Sequence, residues 1–258
     1  QGKPVEAEVL QREALEIYIE KYGPESGLAA RGMNNLANLR HDQGDLRGAL
    51  ALHERSLAIR REVYGPTHDE VATSLSNRAA GYVDLGDFDR AERLYRETLE
   101  IDRAALGDDH PLVIADLEVI AEMRTDQGDP EGALAILEPL LETAVNALGS
   151  DNLDVAAVQA EYGRALLALK RPAEAEAQLR EALRVREAAL PEDHWRVAVA
   201  RSLLGQALVD QAMGEAGSAS QAQRGEGLQL LEQGYQGVLT KLGPDHRLTR
   251  AAWERMRR

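Results

Sequence analysis

A period of 42 residues runs through this chain and constrains its fold more than any other feature. Gly44-Asp45, Gly86-Asp87 and Gly128-Asp129 recur at that spacing, and Lys170-Arg171 fills the next slot. A second series is Gly23, Gly65, Gly107 and Gly149, followed by Pro191. A third is Ala7, Ala49, Ala91, Ala133 and Ala175. Three independent series on one period mark a repeat array, in which each unit buries its apolar face only against its neighbours. The glycines split every repeat into two segments whose apolar residues follow helical spacing, as Leu50 and Leu57 do. Strand-like alternation of β-branched or aromatic residues is nearly absent. Each repeat therefore reads as an antiparallel helix pair, A then B.

The punctuation has a mechanism. Gly44, Gly86 and Gly128 sit where a helix ends in a left-handed residue. Asp45, Asp87 and Asp129 are placed to accept the first backbone N–H groups of helix B. Pro130 and Pro172 fall in the first turn of helix B, where a missing N–H does no harm. The alanine series is small where two helices cross. Pro139 lies inside a B helix and removes the bond to the Ala135 carbonyl, which predicts a bend on an exposed face.

The array has one leading B helix (1–23), five helix pairs (28–65, 70–107, 112–149, 154–190, 195–243) and one closing A helix (247–258). A start on helix B reads as a cap or a cut from a longer protein. In the last pair the period slips by ten residues, because Gly227-Leu228 fills the slot that Ala175-Glu176 fills one repeat earlier. The small polar stretch 214–226 reads as a mobile loop between A and B.

Composition narrows function. The chain of 258 residues has 44 acids against 30 lysines and arginines, a net charge of -14, and 4% aromatic residues. Such a chain is repelled by phosphate backbones and has few platforms for stacking bases, which argues against nucleic acid. It has no cysteine, hence no disulfide, thiolate metal site or thiol nucleophile. No apolar run is long enough to span a bilayer and no signal-peptide core opens the chain. These features, with arginine far outnumbering lysine, suit a cytoplasmic protein from a GC-rich bacterial genome.

Nothing in the sequence points to catalysis. Phosphate-binding glycine loops, Gly-x-Ser-x-Gly and His-Glu-x-x-His are missing. His68, His110, His194 and His246 recur in successive loops beside acids, but ligands in different layers are about 10 Å apart or more. Metal–ligand bonds are about 2 Å, so a loop-fixing role is expected, with no metal and no cofactor.

Asn34-Asn35-Leu36-Ala37, Gly86-Asp87-Phe88-Asp89-Arg90-Ala91-Glu92-Arg93-Leu94-Tyr95 and Leu106-Gly107-Asp108-Asp109-His110-Pro111 carry a resemblance to the tetratricopeptide repeat family. The common repeat there is ~34 residues long. The longer period resembles the variant found in kinesin light chains and in many bacterial signalling and scaffold proteins. The resemblance covers nearly the whole chain. It implies an all-α, right-handed superhelical solenoid whose A helices line a concave groove that binds a protein or peptide. The chain departs from the pattern at Lys170-Arg171 and at Ala212-Met213, and its Asn-Asn pair is complete only in the first repeat.

Taking Met33, Leu36, Ala37 and Arg40 as the core side, helical spacing puts Arg31, Asn34, Asn38 and His41 on the inner face. The same slots later hold Thr73 and Ser76, then Glu118 and Glu122, then Arg164, then Ser202 and Gln206. With Asn35 and Asn77 beside them, these are the candidate partner-binding residues. Asn and Gln side chains would hold an extended backbone, and Glu118 with Glu122 would accept a basic side chain. The acids argue against an acidic-tail partner of the kind bound by lysine and arginine clamps. The chain reads as a non-enzymatic scaffold, the docking or sensing part of a larger signalling protein. The alternatives are a regulator that senses a peptide or small ligand, and self-association through the exposed end helices. A partner on the convex face also stays open.

Overall fold

A computed structural model describes residues 3–213 and 217–257. Among the described residues there are twelve helices and no strand. The leading B helix is α1 (Lys3–Tyr22). Five pairs follow: α2 (Gly27–Asp42) with α3 (Leu46–Tyr64), α4 (Asp69–Asp84) with α5 (Phe88–Leu106), α6 (Pro111–Asp126) with α7 (Pro130–Leu148), α8 (Leu153–Ala168) with α9 (Pro172–Ala189), and α10 (Trp195–Ala212) with α11 (Ser218–Leu242). The closing A helix is α12 (Arg247–Met256). The fold is all-α, of the helix-pair solenoid class. Its contacts divide it into two compact units, Gln1–Asp116 and Leu117–Arg258, with the division inside α6.

Local chemistry sets the boundaries. Gly44, Gly86 and Gly128 have φ of 86°, 75° and 82°, the left-handed geometry that ends a helix. Oδ1 of Asp45, Asp87 and Asp129 then accepts the N–H of Gly48, Arg90 and Gly132 at 2.9–3.2 Å. The recurring histidines cap the A helices. Nδ1 of His68, His110, His194 and His246 accepts the N–H two residues on, each at 3.2 Å. Asn152 does the same at 2.7 Å, and Ser26 accepts from Ala29 at 3.2 Å. Among the described residues no group of three or more His, Asp or Glu could hold a metal ion.

The small-residue slot is where each pair crosses. Ala49, Ala91, Ala133 and Ala175 are at most 1% exposed. In the unit Gln1–Asp116, Leu57, Val71, Ala72, Leu75 and Ile101 form one apolar cluster, and Ala30, Met33 and Ile59 another. In the unit Leu117–Arg258, Leu179 and Leu183 pack with Val197, Leu203, Leu204 and Leu208. There α10 and α11 approach so closely that a Cβ on Gly205 would lie 2.6 Å from the Gly227 carbonyl oxygen. Gly227 thus takes over the alanine slot after the slip in period.

The slip itself is a correction. The stretch 214–226 was expected as a loop, but α11 starts at Ser218 and runs 25 residues. Most of the inserted residues lengthen helix B at its N-terminal end. Ser220 Oγ donates to the Ala212 carbonyl at 2.8 Å, and Gln223 Nε2 donates to Gln211 Oε1 at 2.9 Å, so the extra turns are tied to the end of α10. Residues 214–216 lie outside the described residues. Pro139 sits on the exposed side of α7, which continues through it to Leu148.

Lys170 and Arg171 replace the Gly-Asp pair without changing the turn. Lys170 holds a left-handed φ of 60°, and Arg171 gives the start of α9 no side-chain cap. Restoring the repeat's own chemistry with Lys170→Gly/Arg171→Asp removes backbone strain and adds a cap, at the loss of an exposed Arg171–Glu174 pair worth little. The double variant is expected to be more stable by about 1 kcal/mol. A higher urea midpoint at unchanged helicity is the readout, and an unchanged or lower midpoint contradicts the account.

Candidate functional site

In the unit Leu117–Arg258 the A helices carry a charged face. Glu118, Glu122 and Asp126 lie one turn apart along α6, so they share a side. Arg164 on α8 reaches across to them. Its Nη2 donates to the Glu122 carbonyl at 2.8 Å, its Nη1 pairs with Asp126, and its Nε donates to Glu161 Oε2 at 2.8 Å. Thr125 Oγ1 lies 3.1 Å from Glu161 Oε1. Burial works against charge on Arg164, but Glu161 and Asp126 outweigh it and hold the guanidinium firmly protonated. Burial raises the Glu161 carboxyl, opposed by Arg164.

Glu118 differs from its neighbours. It has no hydrogen bond among the described residues. Burial, reinforced by Glu122 and Glu161, pushes its carboxyl up to about 8, so it carries a proton near neutrality. Arg186 on α9 offers only partial relief. Its own burial lowers it to about 10, and its Nη1 donates to the Arg196 carbonyl at 3.2 Å. One further cation completes the face. Nη1 of Arg247, at the start of α12, lies 3.1 Å from Glu122 Oε1 and 3.8 Å from Asp126 Oδ2. An arginine of the chain itself therefore rests on these acids, its side chain still 54% exposed.

The other expected residues of this unit are covered. Ser202 and Gln206 are buried, not open to a partner; α12 packs on α10, and Ser202 also lies against Gly234 of α11. Arg255 donates to Ser202 Oγ at 3.4 Å, and Gln206 Nε2 donates to Asp210 Oδ2 at 3.3 Å. These two are corrected from binding residues to packing residues.

In the unit Gln1–Asp116 the expected polar face also divides. Asn35, Asn38 and Thr73 are exposed, Ser76 is half-buried, and Arg31 is exposed over the Tyr18 ring. Asn34 is 5% exposed. Its Oδ1 accepts from Asn77 Nδ2 at 3.1 Å and meets His53 Nδ1 at 3.2 Å, which makes that ring nitrogen the donor. Burial lowers His53 to about 4, so it stays neutral. Asn34 and Asn77 thus tie α2 to α4 and to α3, and both contacts occupy the Asn34 Oδ1, so that oxygen is taken up by packing. His41 Nε2 pairs with Asp84 Oδ2 at 2.6 Å across the same two A helices. The physical reason for the correction is layer spacing: the slot of Asn34 faces the next A helix, not solvent.

The sequence reasoning missed Asp84, Asp126, Glu161 and Arg247. A signal for two of them was present, since Asp42, Asp84, Asp126 and Asp210 occupy one slot of the 42-residue register. It also missed a buried acid pair. Asp116 on α6 meets Asp102 on α5, where the preceding layer places Ser74 against Arg60 Nη1 at 2.8 Å. Burial and the Asp102 charge push Asp116 up to about 7, and burial raises Asp102 as well.

A carboxyl free in the unfolded chain titrates near 3.9, so between about pH 4 and 7 the folded state holds the extra proton at Asp116. That stabilising contribution is complete at the acid end and is lost as pH rises through about 7. Asp116→Asn should therefore raise Tm at pH 8 and change it little at pH 4. Thermal unfolding at both values checks this, and an equal shift at both would refute the buried-pair account.

Comparison with known proteins gives the same architecture. The model of the tetratricopeptide repeat matches residues 1–62, 28–104, 70–138 and 113–188. No curated protein matches the chain. Among solved structures, BtubC (BKLC) from P. vanneervenii is 18% identical, with a TM-score of 0.69 over 95% of this chain and 93% of that one. A kinesin-light-chain-type protein of Podosopora anserina with nearly identical TPR-like repeats is 23% identical, with a TM-score of 0.60 over 82% and 96%. A Rap protein complexed with Competence and Sporulation Factor is 16% identical, with a TM-score of 0.63 over 89% of this chain and 64% of that one. At such identities the likeness is one of fold.

Proposed function

The chain belongs to the tetratricopeptide repeat family, whose repeats are generally protein-interaction modules, and from that premise we propose that its A-helix face in Leu117–Arg258 binds a protein or peptide through a basic side chain. The observation that supports this most is Arg247. A guanidinium from the chain itself lies against Glu122 and Asp126, which defines the chemistry the face accepts. Glu118, one turn along α6 and without a hydrogen bond, is the acceptor left for an incoming cation. A partner's arginine or lysine would lie among Glu118, Glu122 and Asp126, while the exposed amides of Asn35 and Asn38 hold an extended backbone elsewhere in the array. No step here requires catalysis or a cofactor. Such a role suits a docking or sensing segment of a signalling protein in the bacterial cytoplasm, the setting that the resemblance to bacterial scaffold proteins implies. Among the described residues no helix is long and apolar enough to cross a membrane.

The reading has a proton signature. A cation beside Glu118 favours its ionised form, so binding below about pH 8 must release a proton. Affinity should rise with pH up to about 8 and then level off. The experiment is fluorescence anisotropy with a labelled arginine-containing peptide and its norleucine counterpart, at pH 6, 7 and 8.5. The arginine peptide is expected to bind at least tenfold more tightly, with that gap lost in Glu118→Gln/Glu122→Gln. Arg247→Ala, which clears the internal occupant, should strengthen binding. Equal affinity for the two peptides would overturn the proposal.

A further inference from the structure

A second charged site lies in the unit Gln1–Asp116, and its sign is opposite. Glu54 of α3, Arg78 and Tyr82 of α4, and Arg90, Arg93 and Leu94 of α5 line a cavity of about 450 Å³. Three guanidiniums and one carboxylate in one cavity are unexpected in a chain of net charge -14. The arginines also break the repeat. The slot of Arg78 holds Leu36, Ile120, Tyr162 and Leu204 in the other layers. That of Arg90 holds Gly48, Gly132 and Glu174, and that of Arg93 holds Ala51, Ala135 and Ala177. Only this layer gathers arginines at all three.

Their internal partners leave donors unused. Arg78 Nη2 donates to Glu54 Oε1 at 3.1 Å and to Tyr82 Oη at 3.4 Å. Its Nε is buried and has no acceptor. A buried donor in that state is destabilising, a cost that an apolar residue at this slot would avoid. Arg90 pairs with the capping Asp87 at 3.2 Å. Arg93 is exposed and has neither hydrogen bond nor ion pair among the described residues. Tyr82 holds the arrangement in place, because the guanidiniums of Arg78 and Arg90 lie 5.7 and 5.5 Å from its ring centre.

We propose that this cavity binds a phosphate monoester dianion through Arg78, Arg90 and Arg93. Glu54 and Asp87 offset two of the three cations, so an anion adds the missing charge and supplies an acceptor to Arg93. Arg78 comes from α4, while Arg90 and Arg93 come from α5 one turn apart. Donors converging from separate helices suit the three terminal oxygens of a tetrahedral phosphate better than the two coplanar oxygens of a carboxylate. The volume exceeds that of a phosphate ion and has room for a phosphorylated side chain, with Leu94 and Tyr82 as its apolar wall. The site shares no residue with the acidic face of α6.

The test is calorimetry with inorganic phosphate, with a short phosphoserine peptide, and with the same peptide carrying serine or glutamate. Phosphate should bind saturably and the phosphopeptide at least tenfold more tightly than its serine or glutamate forms. Arg90→Ala/Arg93→Ala alters exposed side chains and should weaken both ligands at least tenfold. Arg96→Ala, an exposed arginine on the same helix outside the cavity, should change neither. Arg78→Leu restores the residue type of the other layers, so it should fold and still lose binding. Tighter binding of phosphate alone, with no gain from the peptide, would assign the site to a free phosphate compound. Binding that is unchanged in Arg90→Ala/Arg93→Ala, or no stronger for phosphate than for acetate, would overturn the proposal.

Discussion

The close crossing of helices within each pair is the constraint on which the rest depends. Ala49, Ala91, Ala133 and Ala175 are buried where helix B meets helix A, and a larger side chain there would separate the two axes. In the last pair Gly227 and Gly205 bring the backbones closer still. Because the crossing is tight, the apolar residues of neighbouring layers within each unit reach one another, and leucines and valines fill the space between. A single pair buries too little surface to stand alone, so stability is shared between neighbours. This explains how the ten-residue slip is tolerated. The small residue returns to the crossing, and most of the surplus is accommodated as extra turns at the N-terminal end of α11, tied to the end of α10.

Tight layers make polar residues between A helices expensive unless they are satisfied. The Oδ1 of Asn34 is occupied by His53 and Asn77, and Arg164 is held by Glu161, Asp126 and a backbone carbonyl. Both sit where the sequence suggests a binding face, and both are consumed in holding helices together. Arg60 and Arg186 use a third device. Each B-helix guanidinium donates to a carbonyl ten residues on, that of Glu70 and that of Arg196, and so pins the start of the following A helix. What remains for a partner is the set of groups that packing leaves incomplete: Glu118 on α6, and Arg93 beside the cavity.

The fold was legible in the sequence because each helix boundary is written by one or two residues acting locally. Gly44 and Asp45 need only their own backbone neighbours to do their work, and so do the capping histidines. Lys170-Arg171 shows that the register, not the residue, sets the turn, since the chain turns there with a strained lysine. The site was less legible for the opposite reason. Whether Asn34 is free or consumed depends on Asn77, a whole repeat away, and on His53 across the pair. Ser202 is a packing residue because Gly234 of α11 and Arg255 of α12 meet it, and Gln206 turns to Asp210 on its own helix. Arg247 meets Glu122 at a separation of 125 residues, which no periodicity anticipates. The insertion was misread because its glycine and serine composition outweighed the continuing helical register; Ser220 and Gln223, tied to the end of α10, decide it.

Two sites of opposite charge on an acidic chain need not contradict each other. At physiological ionic strength the Debye length is about 8 Å, so a ligand within a cavity responds mainly to the groups that line it. The overall charge of -14 acts at longer range and chiefly on encounter, drawing cations in and slowing anions. A basic segment approaching Glu118 and Glu122 gains from both effects, which suits a transient docking contact with a fast on-rate. An anion approaching Arg78, Arg90 and Arg93 gains only from the local one. Its binding must rest on geometry, on several guanidiniums already held in place by Tyr82, Glu54 and Asp87. Tyr82 stands at the centre of that arrangement, because its ring lies between the guanidiniums of Arg78 and Arg90 while Glu54 and Asp87 fix them from outside.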